Sequence, residues 1–165
     1  MEEDWRARLA EEFRGARKIV VLGIGNPDKG DDGAGPLCVV LLKKKAAAGA
    51  AERLLLIDGR EVPESLTGPI RRFGPDLTVI VDAAVGGQAP GTIFVVGRDR
   101  ISDNEVSTHR ISLLYLVRYL EESIGSRALV LGIEPSVMGE GASMTPAVRR
   151  AVETVTEYLS AAILP

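Results

Sequence analysis

The chain has 165 residues, of which 45% are hydrophobic and only 4% aromatic, and its formal net charge at pH 7 is −3. That length suits a single domain with a core of Val, Ile, Leu and Ala. The mild negative charge disfavours a nucleic-acid partner, because phosphate binding needs clustered Lys and Arg and the chain has only the short run Lys43–Lys45. A lone cysteine, Cys38, excludes an intrachain disulfide and any cysteine-rich metal cluster.

Two further features argue against a membrane partner and against secretion. No apolar stretch approaches 18 residues, which is about the length needed to span a bilayer. The N-terminal segment 1–6 has a net negative charge, and the N-terminus lacks the apolar segment of a signal peptide. We therefore expect a protein that functions in the cytoplasm.

Helical stretches alternate with short β-branched runs along the chain. A first helix is predicted over residues 3–14, because Trp5, Leu9 and Phe13 fall on one face. Further helices are predicted at 36–48, where Pro36 opens the helix, within 62–73, at 108–123 after an N-capping Ser107, and at 146–163, capped and opened by Thr145-Pro146. Strands are predicted at 18–23, 53–58, 77–81, 92–96 and 127–132.

This alternation predicts an α/β fold, a three-layer α/β/α sandwich whose sheet of about five strands is mostly parallel. The connection over residues 86–91 is too short for a helical crossover, so the fourth strand is expected to run antiparallel or at an edge. We expect one domain over residues 1–165.

The glycine-rich loop after the first strand partly matches the motif of a phosphate-binding loop. Gly25 and Gly30 match the glycine spacing of a phosphate-binding loop, but Asp31 and Asp32 stand where that motif needs Lys and Ser or Thr. The dinucleotide fingerprint also fails, because Asp28 replaces its third glycine. Two carboxylates reverse the charge that a phosphate requires, so the loop favours a cation.

Carboxylates follow two of the predicted strands. Asp28, Asp31 and Asp32 come after the first strand, and Asp82 comes after the third. Ligands in open α/β sheets bind beyond the carboxyl ends of the strands, and nearby carboxylates repel unless a cation or a proton joins them. A purely structural role as helix caps or turn residues stays open for these side chains.

The single histidine, His109, is expected in the first turn of the helix that follows Ser107. There the helix dipole favours the neutral imidazole, which is the metal-binding form. With the strand-end carboxylates it completes an Asp/Asp/His set, which fits nickel, zinc or iron better than calcium. A solvated or core histidine is the alternative. A nucleophilic enzyme has less support, since Cys38 lies among apolar helix residues and no Gly-x-Ser-x-Gly motif occurs.

Several short motifs occur together over about residues 18–160. They are Gly23–Asn26, Gly30–Pro36, Val81–Ala83, Pro90–Thr92, Ser107–His109, Gly132–Pro135, Gly141 and the helix start Thr145-Pro146. In this order and combination the sequence resembles the hydrogenase maturation proteases, which process the large-subunit precursors of [NiFe]-hydrogenases. Residues 1–16 are then expected to form an extra helix in front of the segment that matches the family.

The resemblance implies a hydrolase, an endopeptidase that removes a C-terminal extension from the precursor after nickel insertion. By motif position, the family's metal contacts fall on Asp32, Asp82 and His109, and these residues with Asp31 are the candidate catalytic set. Asp31 or Asp32 is the candidate base. Nickel arrives with the precursor, which is the expected partner, and no separate cofactor is expected. The free protein is expected to bind nickel or another divalent metal only weakly.

Two departures from the family pattern lie near the expected site. Asp32 is shorter than the Glu that the family often carries, and Arg60 replaces a small residue after Asp58-Gly59, which is expected to alter the rim of the crevice. The alternative function is a chaperone that binds the nickel-loaded precursor without cutting it. A nucleotide-binding α/β protein is a third possibility.

Overall fold

The computed structural model describes residues 3–47, 49–61, 63–102 and 110–164. The β-branched and leucine-rich runs form strands β1 (Ile19–Ile24), β2 (Leu54–Arg60), β3 (Leu77–Ala83), β4 (Ile93–Val95) and β5 (Arg127–Ile133). The helices are α1 (Trp5–Phe13), α2 (Ala34–Lys45), α3 (Thr67–Phe73), α4 (Arg98–Ser102), α5 (Arg110–Arg118) and α6 (Pro146–Ile163). Among the residues so described, no helix is both long and apolar enough to cross a membrane.

The strands form one mixed sheet in the order β2-β1-β3-β5-β4. The four longer strands run parallel, and β4 pairs antiparallel with β5 at the edge. The prediction for the fourth strand is confirmed, since residues 84–92 are too few to carry the chain back to the other end of the sheet. In this register Gly23 pairs with Val81 and Asp82 pairs with Gly132, so the carboxyl ends of three strands lie side by side.

Two apolar clusters cover the two faces of the sheet. Successive side chains of β3 point to opposite faces, so Val79 and Val81 belong to the first cluster and Ile80 belongs to the second. The first cluster includes residues of α1, α2 and α6, and the second includes residues of α3 and α5. Helices therefore lie on both faces, and the predicted three-layer α/β/α architecture is confirmed.

The N-terminal helix α1 packs onto the core by the predicted face. Trp5 and Leu9 are buried, and Phe13 packs at the margin of the first cluster. The Trp5 ring meets Tyr158 of α6 edge to face, with ring centroids 5.2 Å apart. The side chain of Asp4 caps the helix by accepting a hydrogen bond from the backbone N–H of Arg6.

Some predicted helix bounds are wrong by two or three residues. Helix α2 begins at Ala34 because a 3-10 turn over Gly30–Gly33 runs directly into it, and it ends at Lys45. Pro36 is still tolerated, since the N–H groups of the first helical turn have no partner within the helix. At its far end, α5 continues as a π-helical turn over Tyr119–Ile124. The predicted start of that helix at residue 108 and its cap Ser107 lie outside the described residues.

Candidate functional site

The two carboxylates predicted to contact the metal, Asp32 and Asp82, lie buried at the carboxyl edge of the parallel strands. Asp82 is the sixth residue of β3 and is fully buried. Asp32 belongs to the 3-10 turn between β1 and α2 and is 4% exposed. Cα atoms of that turn come within 8 Å of Cα atoms of β3. The structure therefore brings both side chains to the same edge of the sheet, on separate segments.

Two glycines allow the backbone segments of this edge to pack closely. A Cβ at Gly35 would lie 2.3 Å from the carbonyl oxygen of Val81 and 2.4 Å from that of Ile24, so the first turn of α2 rests directly on β1 and β3. Gly25 has a φ of 136°, and a Cβ there would lie 1.8 Å from the carbonyl oxygen of Asp32. A side chain would clash at position 35, and at position 25 it would clash and also be strained by the positive φ. Glycine at these two positions therefore allows the close packing that places Asp32.

The first loop orients the Asp32 carboxylate from the other side. Its Oδ2 atom accepts a hydrogen bond of 3.0 Å from the backbone N–H of Asn26. The side-chain oxygen of Asn26 in turn accepts a 2.9 Å hydrogen bond from the backbone N–H of Asp28. Asp28 is itself exposed, so of the three acids in this loop it lies at the surface while Asp31 and Asp32 point inward.

Asp31 has a different environment from Asp32 although the two are adjacent. Its carboxylate is fully buried and accepts hydrogen bonds from the backbone N–H groups of Ser136, Val137 and Thr145, at 2.8, 2.9 and 2.7 Å. The Thr145 hydroxyl lies 3.0 Å from both of its oxygens. Thr145 therefore takes the N-cap position of α6 as predicted, but its hydroxyl donates to Asp31 and makes no cap hydrogen bond.

These contacts set the charge state of Asp31. Burial raises the pKa of its carboxyl, but the hydrogen bonds from Val137, Thr145 and Ser136 outweigh burial and hold the pKa below the ordinary value of 3.8. A carboxylate with a lowered pKa is a weaker base, and four donors already surround its oxygens. The geometry thus gives Asp31 a clear part in joining the first loop to residues 136–145.

His109, the third member of the predicted set, lies outside the described residues. Helix α5 is described from Arg110, the next residue. Strand alternation puts Asp82 on the same sheet face as Ile80, and Ile80 shares a cluster with Leu113 and Leu116 of α5. Asp82 therefore projects from the sheet face that α5 covers.

Within the described part of the chain, no group of three or more His, Cys, Asp or Glu side chains could hold a metal ion. Asp32 and Asp82 are two of the three expected ligands, and the third, His109, lies outside the described residues. Carboxylate oxygens suit nickel, zinc or iron when an imidazole joins them, so the two acids fit the predicted donor set.

Arg60, the last residue of β2, lies next to the first loop. Its φ of 47° is left-handed, which is rare for a residue other than glycine. The carbonyl oxygen of Arg60 accepts a hydrogen bond from the backbone N–H of Gly25, and its Nε lies 3.6 Å from Oδ2 of Asp58. The backbone of Arg60 thus contacts the same loop that carries Asp32, while its side chain is two-thirds exposed.

Cys38 lies inside α2 and is fully buried. Burial raises the pKa of its thiol to about 11, despite a hydrogen bond from the Thr156 hydroxyl that lowers it. A thiol with so high a pKa carries almost no thiolate at neutral pH, and only the thiolate is a nucleophile. The interpretation of Cys38 as a small core residue agrees with this environment.

Comparison with known proteins identifies the family. The family model described as hydrogenase maturation protease matches residues 36–162, which is most of the chain. The hydrogenase 3 maturation protease of Escherichia coli K12 is 40% identical over 141 residues, or 85% of this chain and 87% of its own length. The chain belongs to the hydrogenase maturation proteases.

Solved structures agree with this assignment to the hydrogenase maturation proteases. The [NiFe] hydrogenase maturation protease HycI of Thermococcus kodakarensis gives a TM-score of 0.86 at 30% identity, covering 96% of this chain and 99% of its own. The endopeptidase HycI of Escherichia coli gives a TM-score of 0.74 at 38% identity, covering 85% and 87%. The likeness therefore includes the arrangement of the strands as well as the sequence.

One buried carboxylate of this maturation protease was not among the predicted site residues. Glu134 follows β5 at the same edge of the sheet as Asp82 and is 5% exposed. Its Oε2 atom accepts a hydrogen bond of 2.6 Å from the backbone N–H of Gly86. The signal was present in the sequence, because an acid directly after an apolar strand is the pattern that singled out Asp82.

Proposed function

We propose that this maturation protease removes the C-terminal extension of a [NiFe]-hydrogenase large-subunit precursor once nickel has been inserted. It recognises the bound nickel through Asp32, Asp82 and His109. The observation that carries the proposal is the burial of Asp32 and Asp82 at one edge of the sheet in a chain of this family. We expect the processing to take place in the cytoplasm.

Nickel is part of the substrate in this proposal. The protein contributes two carboxylates and one imidazole, and the precursor holds the ion with its own thiolates. Three ligands form no closed cage, so the free protein binds nickel or another divalent ion weakly. Peptide contacts and metal contacts then act together, and a precursor that offers only one of them binds poorly.

The reaction is the hydrolysis of one amide bond. The oxygen of a water molecule bonds to the scissile carbonyl carbon, the C–N bond breaks, and the leaving amine takes a proton. A carboxylate that accepts the proton of the attacking water speeds the first step. The four donors around Asp31 and its lowered pKa disfavour Asp31 for this role.

The test is processing of a purified precursor, followed by mass spectrometry. The protein is expected to shorten the nickel-loaded precursor and to leave the nickel-free precursor intact. Equal cutting of both forms would contradict nickel recognition. Tight binding of the nickel-loaded form without any cutting would instead support the chaperone alternative.

Substitutions then locate the site. Asp82→Asn and His109→Ala are expected to abolish processing while the far-ultraviolet circular dichroism spectrum stays that of the wild type. The control is Asp76→Asn, since Asp76 accepts hydrogen bonds from the backbone of Arg17 and Lys18 at the opposite edge of the sheet. Normal cutting by the first two variants, or loss of cutting in the control, would place the chemistry elsewhere.

A further inference from the structure

Glu134 is a buried acid that the proposed reaction does not use. It is 5% exposed, and taking a carboxylate out of water is costly unless hydrogen bonds compensate for it. The Glu134 carboxylate has such a bond, from the backbone N–H of Gly86. The hydrogen bonds of Glu134 lead to one segment, the loop 84–92 between β3 and β4.

Three hydrogen bonds join Glu134 to the loop 84–92. Its side-chain Oε2 accepts from the backbone N–H of Gly86 at 2.6 Å. Its backbone N–H donates to the carbonyl oxygen of Thr92 at 2.9 Å, and its carbonyl oxygen accepts from the N–H of Gly91 at 2.8 Å. The two backbone bonds hold the end of the loop, and the carboxylate holds Gly86 near its beginning.

The held part of the loop lies next to Asp82. Asp82 pairs in register with Gly132, two residues before Glu134, and Gly86 follows Asp82 by four residues. A Cβ at Gly86 would lie 2.8 Å from the ring of Phe94, so the backbone is pressed against that ring. The carboxylate of Glu134 therefore fixes the backbone just beyond one of the proposed nickel contacts.

The fixed backbone presents an apolar side chain to solvent. Val85 is 46% exposed, although its neighbours are held by hydrogen bonds from the N–H of Ala84 to Ile133 and from the N–H of Gly86 to Glu134. Since an extended residue spans at most about 3.6 Å, the Cα atom of Val85 lies within roughly 11 Å of that of Asp82. That distance is within reach of a peptide whose metal is bound at Asp82.

We infer that Glu134 is a positioning residue that holds the loop 84–92 as one wall of the binding site for the precursor's C-terminal segment, with Val85 in contact with that segment. The inference rests on the proposed function and adds a residue to it. Glu134 acts through the loop and touches neither the metal nor the scissile bond.

The test compares Glu134→Ala with Glu134→Gln in the processing of nickel-loaded precursor. Loss of the acceptor in Glu134→Ala is expected to raise KM about tenfold or more with a smaller change in kcat. Glu134→Gln keeps a side-chain oxygen for the N–H of Gly86, so its KM is expected to stay within about threefold of the wild type. Hydrogen exchange at the Gly86 amide is expected to quicken in Glu134→Ala alone.

A matched control separates positioning from a general loss of stability. Asp76→Ala also removes a carboxylate that accepts backbone hydrogen bonds, but at the opposite edge of the sheet, and its KM is expected to be that of the wild type. If Glu134→Ala and Asp76→Ala lower stability alike and neither changes KM, the inference is wrong.

A second pair of variants keeps the test decisive if Glu134→Ala does not fold. Val85→Ser alters an exposed side chain of the proposed wall, and Val40→Ser alters a valine of α2 that is 41% exposed. KM is expected to rise in the first and not in the second; equal values would overturn the inference. Wild-type protein that neither cuts nor binds the nickel-loaded precursor would instead overturn the proposed function, and the inference with it.

Discussion

Asp31 offers a sharp test, because its architectural and catalytic roles predict different results. Asp31→Ala leaves the N–H groups of Ser136, Val137 and Thr145 without their acceptor. A hydrogen bond to a charged group contributes about 1.5–3 kcal/mol, and water replaces part of that loss because the donors lie in a half-exposed loop. We expect the free energy of unfolding to fall by about 3–5 kcal/mol.

The asparagine variant sharpens this expectation. Oδ2 serves two backbone N–H groups and Oδ1 serves one, so an asparagine keeps its oxygen at the Oδ2 position and turns its NH₂ group toward the N–H of Thr145. Asp31→Asn should therefore cost about 1–3 kcal/mol, less than alanine. Urea denaturation followed by circular dichroism measures both values. An Asp31→Asn variant within about 0.5 kcal/mol of the wild type would refute this account of the contacts.

The dependence of stability on pH tests the contacts of the Asp31 carboxylate independently. The folded pKa of Asp31 lies below the unfolded value of 3.8, so the charged form stabilises the fold above that pH and the gain is lost as pH falls through the folded pKa. The difference in free energy of unfolding between the wild type and Asp31→Asn should have its full value at pH 5 and should shrink below about pH 4. A difference that stays constant down to pH 2 would contradict the assignment.

Catalysis separates the two roles. If Asp31 positions the loop, folded Asp31→Asn keeps kcat within about tenfold of the wild type. If Asp31 is the general base, kcat falls by roughly 10²–10⁴-fold even where the variant is fully folded.

Three more substitutions or modifications test the packing. Gly35→Ala places a Cβ against two backbone carbonyl groups that cannot move aside, so the free energy of unfolding, measured by urea denaturation, should fall by about 3 kcal/mol or more. The control is Gly68→Ala in α3, where the new Cβ would meet only a side-chain atom at 3.4 Å; it should not destabilise the fold. Cys38, with its pKa of about 11, should resist iodoacetamide at pH 8 until the protein is unfolded, as mass spectrometry would record; rapid labelling of the native protein would contradict its burial. Trp5→Ala should cost about 3–5 kcal/mol by circular dichroism, and a loss below 1 kcal/mol would mean that α1 adds little to the core.

Local pattern was enough to predict the layers and the sheet. Apolar strands and amphipathic helices alternate in the sequence itself, and the short connection 84–92 determined the direction of β4. Helix ends were predicted less well. Pro36 is compatible with any position in a first turn, so it did not locate the start of α2 at Ala34. The five-residue helix α4 is too short to show a period and was not predicted.

In the candidate site, too, some features were predictable from the sequence and others were not. The position of Asp32 and Asp82 at one edge of the sheet was predictable, because each lies at or beyond the end of an apolar strand, and strand ends of a parallel sheet share one edge. The hydrogen bonds of Asp31 were beyond prediction, since their donors lie more than 100 residues away and are backbone groups of a loop. Glu134 bears the same signal as Asp82, but its bond to Gly86 depends on how the loop 84–92 bends.

The span of the Asp31 contacts also bears on the order of events during synthesis. Its partners follow it by 105 to 114 residues, and Thr145 immediately precedes α6. A nascent chain therefore exposes the glycine-rich loop on the ribosome long before the segment that anchors it has been translated. The loop that bears Asp32 therefore acquires its hydrogen bonds with residues 136–145 only when the start of the last helix is made, so this part of the protease is completed late.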